Sequence, residues 1–202
     1  MDEIVLRGMA KWPNVPAVYG WLALDRRGHW LLKGDCITNP GVAAFIGRNY
    51  ASDARGCWFF QNGPQRVFVD LAYTPFVFHT VNAEGAPLAV AAHNGNRVDV
   101  VTGAWLDENG TLLLKAEHGV GAIHDHDLDR LLPHLIDSGG NPVEESALDR
   151  LLEAAQRGEH VPIWLEIGRA RVRIQSIASS QVPRRFAFVA RPEPLTGEEV
   201  CS

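Results

Sequence analysis

The stretch Gly20-Trp21-Leu22-Ala23-Leu24-Asp25-Arg26-Arg27-Gly28-His29-Trp30-Leu31-Leu32-Lys33 decides the fold, because its plan returns in the second half of the chain. Apolar residues run into an Asp-x-x-Gly turn and apolar residues run out. Ala104-Trp105-Leu106, the turn Asp107-Glu108-Asn109-Gly110 and Leu112-Leu113-Leu114-Lys115 repeat that order. Such a turn between strand-forming runs reads as a hairpin whose glycine takes a left-handed backbone, a conformation that costs other residues a clash at Cβ. A second hairpin recurs in the same sense. Cys57-Trp58-Phe59-Phe60, Gly63 and Arg66-Val67-Phe68-Val69 echo Ile163-Trp164-Leu165, Gly168 and Arg171-Val172-Arg173-Ile174. Each copy closes on a proline followed by aromatics, Pro75-Phe76-Val77-Phe78 and Pro183-Arg184-Arg185-Phe186-Ala187-Phe188.

Helices fill the intervals between the hairpins. Asn39-Pro40 is a capping side chain followed by proline at the first helical position, and Val42, Phe45, Ile46 and Tyr50 then share one face, so a helix is expected from Pro40 to Tyr50. A short helix is expected before Lys11. Another should start near Asp127, with Leu128, Leu131, Leu132 and Leu135 as its stripe and Pro133 shortening it. Gly28 and Gly63 are about 35 residues apart, whereas Gly110 and Gly168 are about 58 apart. The difference is accounted for by one more helix, expected from Asn141-Pro142 with Val143, Ala147, Leu148, Leu151, Leu152 and Ala155 inward and Glu144 and Glu145 in its first turn. Strands from Leu88 to Ala92 and from Arg97 to Val101 flank the turn His93-Asn94-Gly95-Asn96. Parallel βαβ winding needs a helix between most successive strands, and these are missing. The reading is therefore an α+β fold of predominantly antiparallel hairpins with short packed helices. It has two pseudo-repeated halves, 1–81 and 82–202, the second carrying the helical insertion; the polar residues 82–87 join them.

Composition bounds the function. The 202 residues are 46% hydrophobic, enough for a real core, yet the apolar runs are far shorter than the roughly 20 residues that span a bilayer. The acidic start Met1-Asp2-Glu3 lacks the pattern of a secretory signal, so a cytoplasmic place is expected and no membrane partner. A net charge of −5 counts against a nucleic-acid partner, which requires a basic surface to neutralise phosphates. The three cysteines, Cys36, Cys57 and Cys201, lack metal or disulfide spacing and read as reduced thiols. Five of the six tryptophans, Trp21, Trp30, Trp58, Trp105 and Trp164, fall in expected strands and read as packing residues.

Two clusters carry chemistry. His118, His124 and His126 lie within one short segment, with Asp125 and Asp127 beside them; a His-x-His pair on a strand shares a face, and His118 could fold back to complete a divalent-metal shell. The structural reading is a polar strand-to-helix turn in which Asp125 and Asp127 serve as caps. From Ile167 to Pro192 the chain has six arginines and no acid. Arg169, Arg171 and Arg173 alternate, so they are expected on one strand face, where they could bind a phosphate or carboxylate ligand or else simply solvate that face. His79, His93 and His160 read as isolated and exposed, and Ser176, Ser179 and Ser180 as turn residues without a nucleophile elbow.

Met1-Asp2-Glu3-Ile4-Val5, the run from Met9 to Leu22, Phe45-Ile46-Gly47-Arg48-Asn49-Tyr50 and the run from Gly56 to Val67 resemble a family of uncharacterised proteobacterial proteins in the domain-of-unknown-function series near number 2946. Val67-Phe68-Val69-Asp70-Leu71-Ala72-Tyr73-Thr74-Pro75-Phe76-Val77 is similar, more faintly, to domain of unknown function 1285. That second resemblance implies an α+β protein with two related halves. Neither implies a catalytic residue or a cofactor. The leading functional expectation is a non-catalytic cytoplasmic binding or regulatory module for a partner protein or a small anionic ligand. Its alternative is a metal-dependent hydrolase using His118, His124 and His126. Self-association is left open.

Overall fold

The carboxylate of Asp25 organises the first hairpin by accepting the backbone N–H groups of Arg27 and His29, each at 2.8 Å, while Gly28 turns the chain at φ +85°. Asp107 does the same for Asn109 and Thr111, with Gly110 at φ +80°. In the computed structural model, residues 1–12, 15–81, 87–144, 146–159 and 161–197 are described. Residues 82–86 of the expected joining segment 82–87, Glu145, His160 and Cys201 lie outside them, as do the side chains of Ala147 and Leu148. The chain forms two units. The first comprises Met1–Pro75, His93–Gly95 and Ala187–Ser202, and the second Phe76–Ala92 and Asn96–Phe186.

The first unit holds α1 (Glu3–Lys11), β1 (Val18–Leu24), β2 (Trp30–Leu32), β3 (Asp35–Cys36), α2 (Pro40–Arg48), β4 (Tyr50–Ser52), β5 (Trp58–Asn62) and β6 (Gln65–Leu71). Its sheet runs β3-β2-β1-β6-β5-β4, antiparallel except for the central β1·β6 pair. Asn39 caps α2 as expected, its Oδ1 accepting from Gly41 N and Val42 N. That cap contributes about 1 kcal/mol. Burial dominates: Leu22, Leu24, Trp30, Ile46, Phe60 and Val69 are each at least nine-tenths buried, and large apolar side chains contribute about 1.5–3 kcal/mol apiece. A smaller cluster of Ala17, Cys57, Phe59 and Phe68 is closed by Val189, whose backbone bridges to Cys57. Cys57 is thus a small buried hydrophobe, and Cys36 is exposed on the edge strand.

The second unit holds β7 (Phe76–Val81), β8 (Ala89–Ala92), β9 (Arg97–Val98), β10 (Val101–Asp107), β11 (Leu112–Ala116), β12 (Gly119–Ile123), α3 (Leu128–Leu131), β13 (Leu135–Ile136), α4 (Ser146–Arg157), β14 (Trp164–Ile167), β15 (Ala170–Ile177) and α5 (Val182–Arg185). Its order is β13-β14-β15-β10-β11-β12-β7-β8-β9. The first six of those strands repeat the order of the first sheet, again with a parallel pair at the centre. The register matches as well. Leu24 faces Trp30 as Leu106 faces Leu112, Leu22 faces Val69 as Ala104 faces Ile174, and Asn62 faces Gln65 as Ile167 faces Ala170. Only the second sheet continues past its edge, through β7, β8 and β9. Thus Phe76–Val81, expected with the first half, pairs within the second sheet.

Some local expectations change. The helix expected from Asn141-Pro142 begins at Ser146, because Asp137 draws residues 137–141 into a turn: its Oδ1 accepts Asn141 N at 2.9 Å, and Pro142 bridges to Ile136. Pro133 shortens the helix near Asp127 as expected, leaving α3 between two 3₁₀ turns, Asp125–Asp127 and Leu132–His134. Ser176 lies in β15 rather than in a turn. Pro183 sits in the short helix α5. Trp30 and Trp105 are core residues, whereas Trp21, Trp58 and Trp164 are half-buried. Among the described residues no helix is long and apolar enough to cross a membrane.

Candidate functional site

The pairing of β12 with β7 is parallel, with Gly121 opposite Phe76, Ala122 opposite Val77 and Ile123 opposite Phe78. Glycine is required at position 121, since a Cβ there would sit 2.4 Å from the Phe78 ring. Extending the ladder by one residue brings His124 beside His79. His124 N donates to Phe78 O at 2.9 Å, and the two imidazole centroids are 4.7 Å apart. His124 then leaves the strand and caps the 3₁₀ turn that follows, so the expected His-x-His strand pair does not form.

That turn aims Asp127 back at β7. Its Oδ1 accepts Thr80 Oγ1 at 2.9 Å and Arg130 Nη1 at 3.4 Å, and its Oδ2 accepts Thr80 N at 3.2 Å. Oδ2 also lies 3.3 Å from His79 Nδ1. One donor atom from each of His79, His124 and Asp127 lies within 4.8 Å of the others. Burial, and next the closeness of His79, hold the imidazole of His124 below its ordinary pKa, so it is kept as the neutral ring that has a lone pair to offer.

The expected triad is not brought together. His118 sits in the turn before β12, 3.7 Å from Glu117, and the extended strand between it and His124 spans about 20 Å over six residue steps. His126 is exposed, its ring 5.0 Å from that of His124. His79, expected to be isolated, is the residue that sequence reasoning missed. It lies 45 positions from His124, and only the parallel pairing of β7 with β12 links them. His93 was likewise expected in solvent but packs edge-on against Trp30 at 5.1 Å.

The arginines also separate. Arg171 and Arg173 share the exposed face of β15 as expected, both over the Trp164 ring. Arg171 is spent on structure, since its Nη2 donates to the carbonyls of Asp137 and Ser138 at 2.9 and 3.3 Å. Arg169 lies instead in the β14–β15 turn, held by a 2.7 Å bond from Gly168 N to Leu88 O. There it lines a cavity of about 350 Å³ with Val81, Val90, Arg97, Val98 and Asp99. Two further cavities are apolar. One of about 360 Å³ lies under α2 in the first unit, and one of about 200 Å³ in the second is narrowed by Leu151 and Leu152 of α4.

These features define an α+β protein of two six-stranded cores, the second extended at one edge by three strands that carry the polar sites. The chain belongs to the family DUF2944, described as "Protein of unknown function (DUF2946)", which it matches over residues 1–193. It is similar in fold to a DUF1285 family protein from Silicibacter pomeroyi DSS-3, with a TM-score of 0.53 and 13% identity over 81% of this chain and 85% of that one. A DUF1285 family protein from Shewanella baltica OS155 aligns at a TM-score of 0.43 and 16% identity, over 57% of this chain and 90% of that one. Both resemblances expected from the sequence are thereby met. No curated protein matches the chain.

Proposed function

We propose that the protein is a non-catalytic cytoplasmic binding module whose second unit takes a small anionic ligand in the cavity lined by Arg97 and Arg169. The observation that carries this reading is that two arginines, Arg97 and Arg169, neither in an ion pair among the described residues, line one cavity with Val81, Val90 and Val98. A volume of some 350 Å³ suits a metabolite-sized molecule. Arginine binds phosphate and carboxylate through two parallel hydrogen bonds, which a planar fork holds at little entropic cost. Asp99 in the same wall adds an acceptor, so the fitting ligand is an anion that also carries a hydroxyl or ammonium donor. Apart from Asp99 the wall holds no serine, threonine, cysteine, histidine or lysine, which supports capture rather than turnover. Cys36 and Cys57, in no disulfide among the described residues, suit a reducing compartment. The shared strand order and register support a further part of the proposal, that the halves 1–81 and 82–202 arose by internal duplication.

The test is a thermal-shift series with inorganic phosphate, sugar phosphates and hydroxy- and amino-carboxylates. A ligand at 100 times its Kd stabilises by about 2.7 kcal/mol, a shift of several degrees for a chain of this size. At least one of these anions should raise the Tm of the wild type and of Arg173→Ala, but not of Arg97→Ala or Arg169→Ala. A flat panel, or a shift that survives both cavity substitutions, overturns the reading.

A further inference from the structure

We propose that His79, His124 and Asp127 bind a divalent transition ion of the zinc class. Nitrogen and carboxylate donors sit at about 2.0–2.2 Å from zinc at tetrahedral angles, which places neighbouring donors about 3.4 Å apart. His79 Nδ1 and Asp127 Oδ2 are already 3.3 Å apart. The spacing of one tetrahedral edge is thus built, and with Nδ1 on an ion the histidine proton would reside on Nε2. His124 supplies the third donor from within 4.8 Å.

Preorganisation supports the assignment. Thr80 N, Thr80 Oγ1 and Arg130 fix the Asp127 carboxylate, and the arginine acts on Oδ1, leaving Oδ2 turned to His79. Carboxylate and imidazole ligands held by such outer bonds lose less freedom on binding. A set of two nitrogens and one oxygen suits zinc-class ions better than magnesium or calcium, which take oxygen shells. A second trio, His124, Asp125 and His126, shares His124. The first is preferred because the two residues it does not share, Asp127 and His79, expose 11% and 40% of their side chains, against 55% and 75% for Asp125 and His126. Partly desolvated donors bind a cation more strongly than the same donors in water.

The site uses none of the residues of the arginine cavity, so it stands or falls separately. Full-length protein, freed of any affinity tag and stripped with chelator, should bind one Zn2+ per chain by titration calorimetry and give the visible band of tetrahedral Co2+. His79→Gln, on a strand and partly exposed, should keep the wild-type melting curve yet weaken Zn2+ binding by about tenfold or more, and Thr80→Ala by about tenfold. His118→Ala, His126→Ala and Arg97→Ala should bind as the wild type does. No stoichiometric binding, binding that survives His79→Gln, or loss with His126→Ala or His118→Ala would each overturn the proposal.

Discussion

The two units share six strands in one order and one register, yet the polar chemistry collects in only one of them. In the first sheet β3 is a two-residue edge, and the helix that follows is capped by Asn39, whose side chain accepts the backbone N–H groups of Gly41 and Val42. In the second sheet the matching strand, β12, has a neighbour. β7 lies along it, and the residue capping the next turn, His124, meets His79. The cavity with Arg97 and Arg169 also depends on the added strands, since β7, β8 and β9 supply most of its wall. The comparison teaches that the common six strands are a scaffold and that the polar sites come with the extension.

The hardest blow to this comparison would come from its matched core positions. Leu24 and Leu106 occupy the same register, so Leu24→Ala and Leu106→Ala should each destabilise by about 2–5 kcal/mol. Leu106→Ala should fall toward the lower end because Leu106 already borders a cavity. Urea unfolding of both variants measures this, and a negligible loss at either position would break the equivalence.

Gly121→Ala sharpens the contrast at the strand edge. The new methyl meets the buried Phe78 ring and should cost about 1–3 kcal/mol by overpacking. Its register counterpart in the first sheet is Asp35, opposite Leu32 as Gly121 is opposite Leu114. Asp35 is exposed, and Asp35→Ala should leave the melting temperature unchanged.

The smallest effect concerns acid. Burial raises the pKa of Asp53, but hydrogen bonds from Cys57 N, the Arg55 side chain and Arg55 N outweigh it and hold the carboxyl below its ordinary range. In the matching turn of the second unit, Asn141 holds Asp137 low through its backbone and side chain. A carboxyl lowered by folding contributes stability above its unfolded pKa and loses it as the pH falls through the folded value. Melting curves at pH 7 and below about pH 4 should therefore converge for Asp53→Asn and Asp137→Asn relative to the wild type.

What the sequence made legible was local. Asp25-x-x-Gly28, Asp107-x-x-Gly110 and Asn39-Pro40 each act over four residues or fewer, and each does in the structure what its spacing implies. Pro133 does likewise. Long-range pairing was not legible: His79 reaches His124 through a parallel ladder that leaves no spacing signal, and His118 was grouped with His124 by proximity in sequence although an extended strand holds them apart. Alternation placed Arg171 and Arg173 on one face, but nothing local shows that the carbonyls of Asp137 and Ser138 engage Arg171. The start of α4 was misplaced for a similar reason, because Asn141 answers to Asp137 as a turn partner before it can serve as a helix cap.

The first unit is finished by residues that follow the whole of the second sheet in sequence. Val189 bridges Cys57 and closes the cluster around Phe59 and Phe68, and Ala190 O accepts Leu71 N. During synthesis the amino-terminal sheet therefore leaves the ribosome lacking this cover, and these aromatic rings must wait until residues 189 and 190 have been translated. A nascent chain stalled before residue 187 would present that face to chaperones.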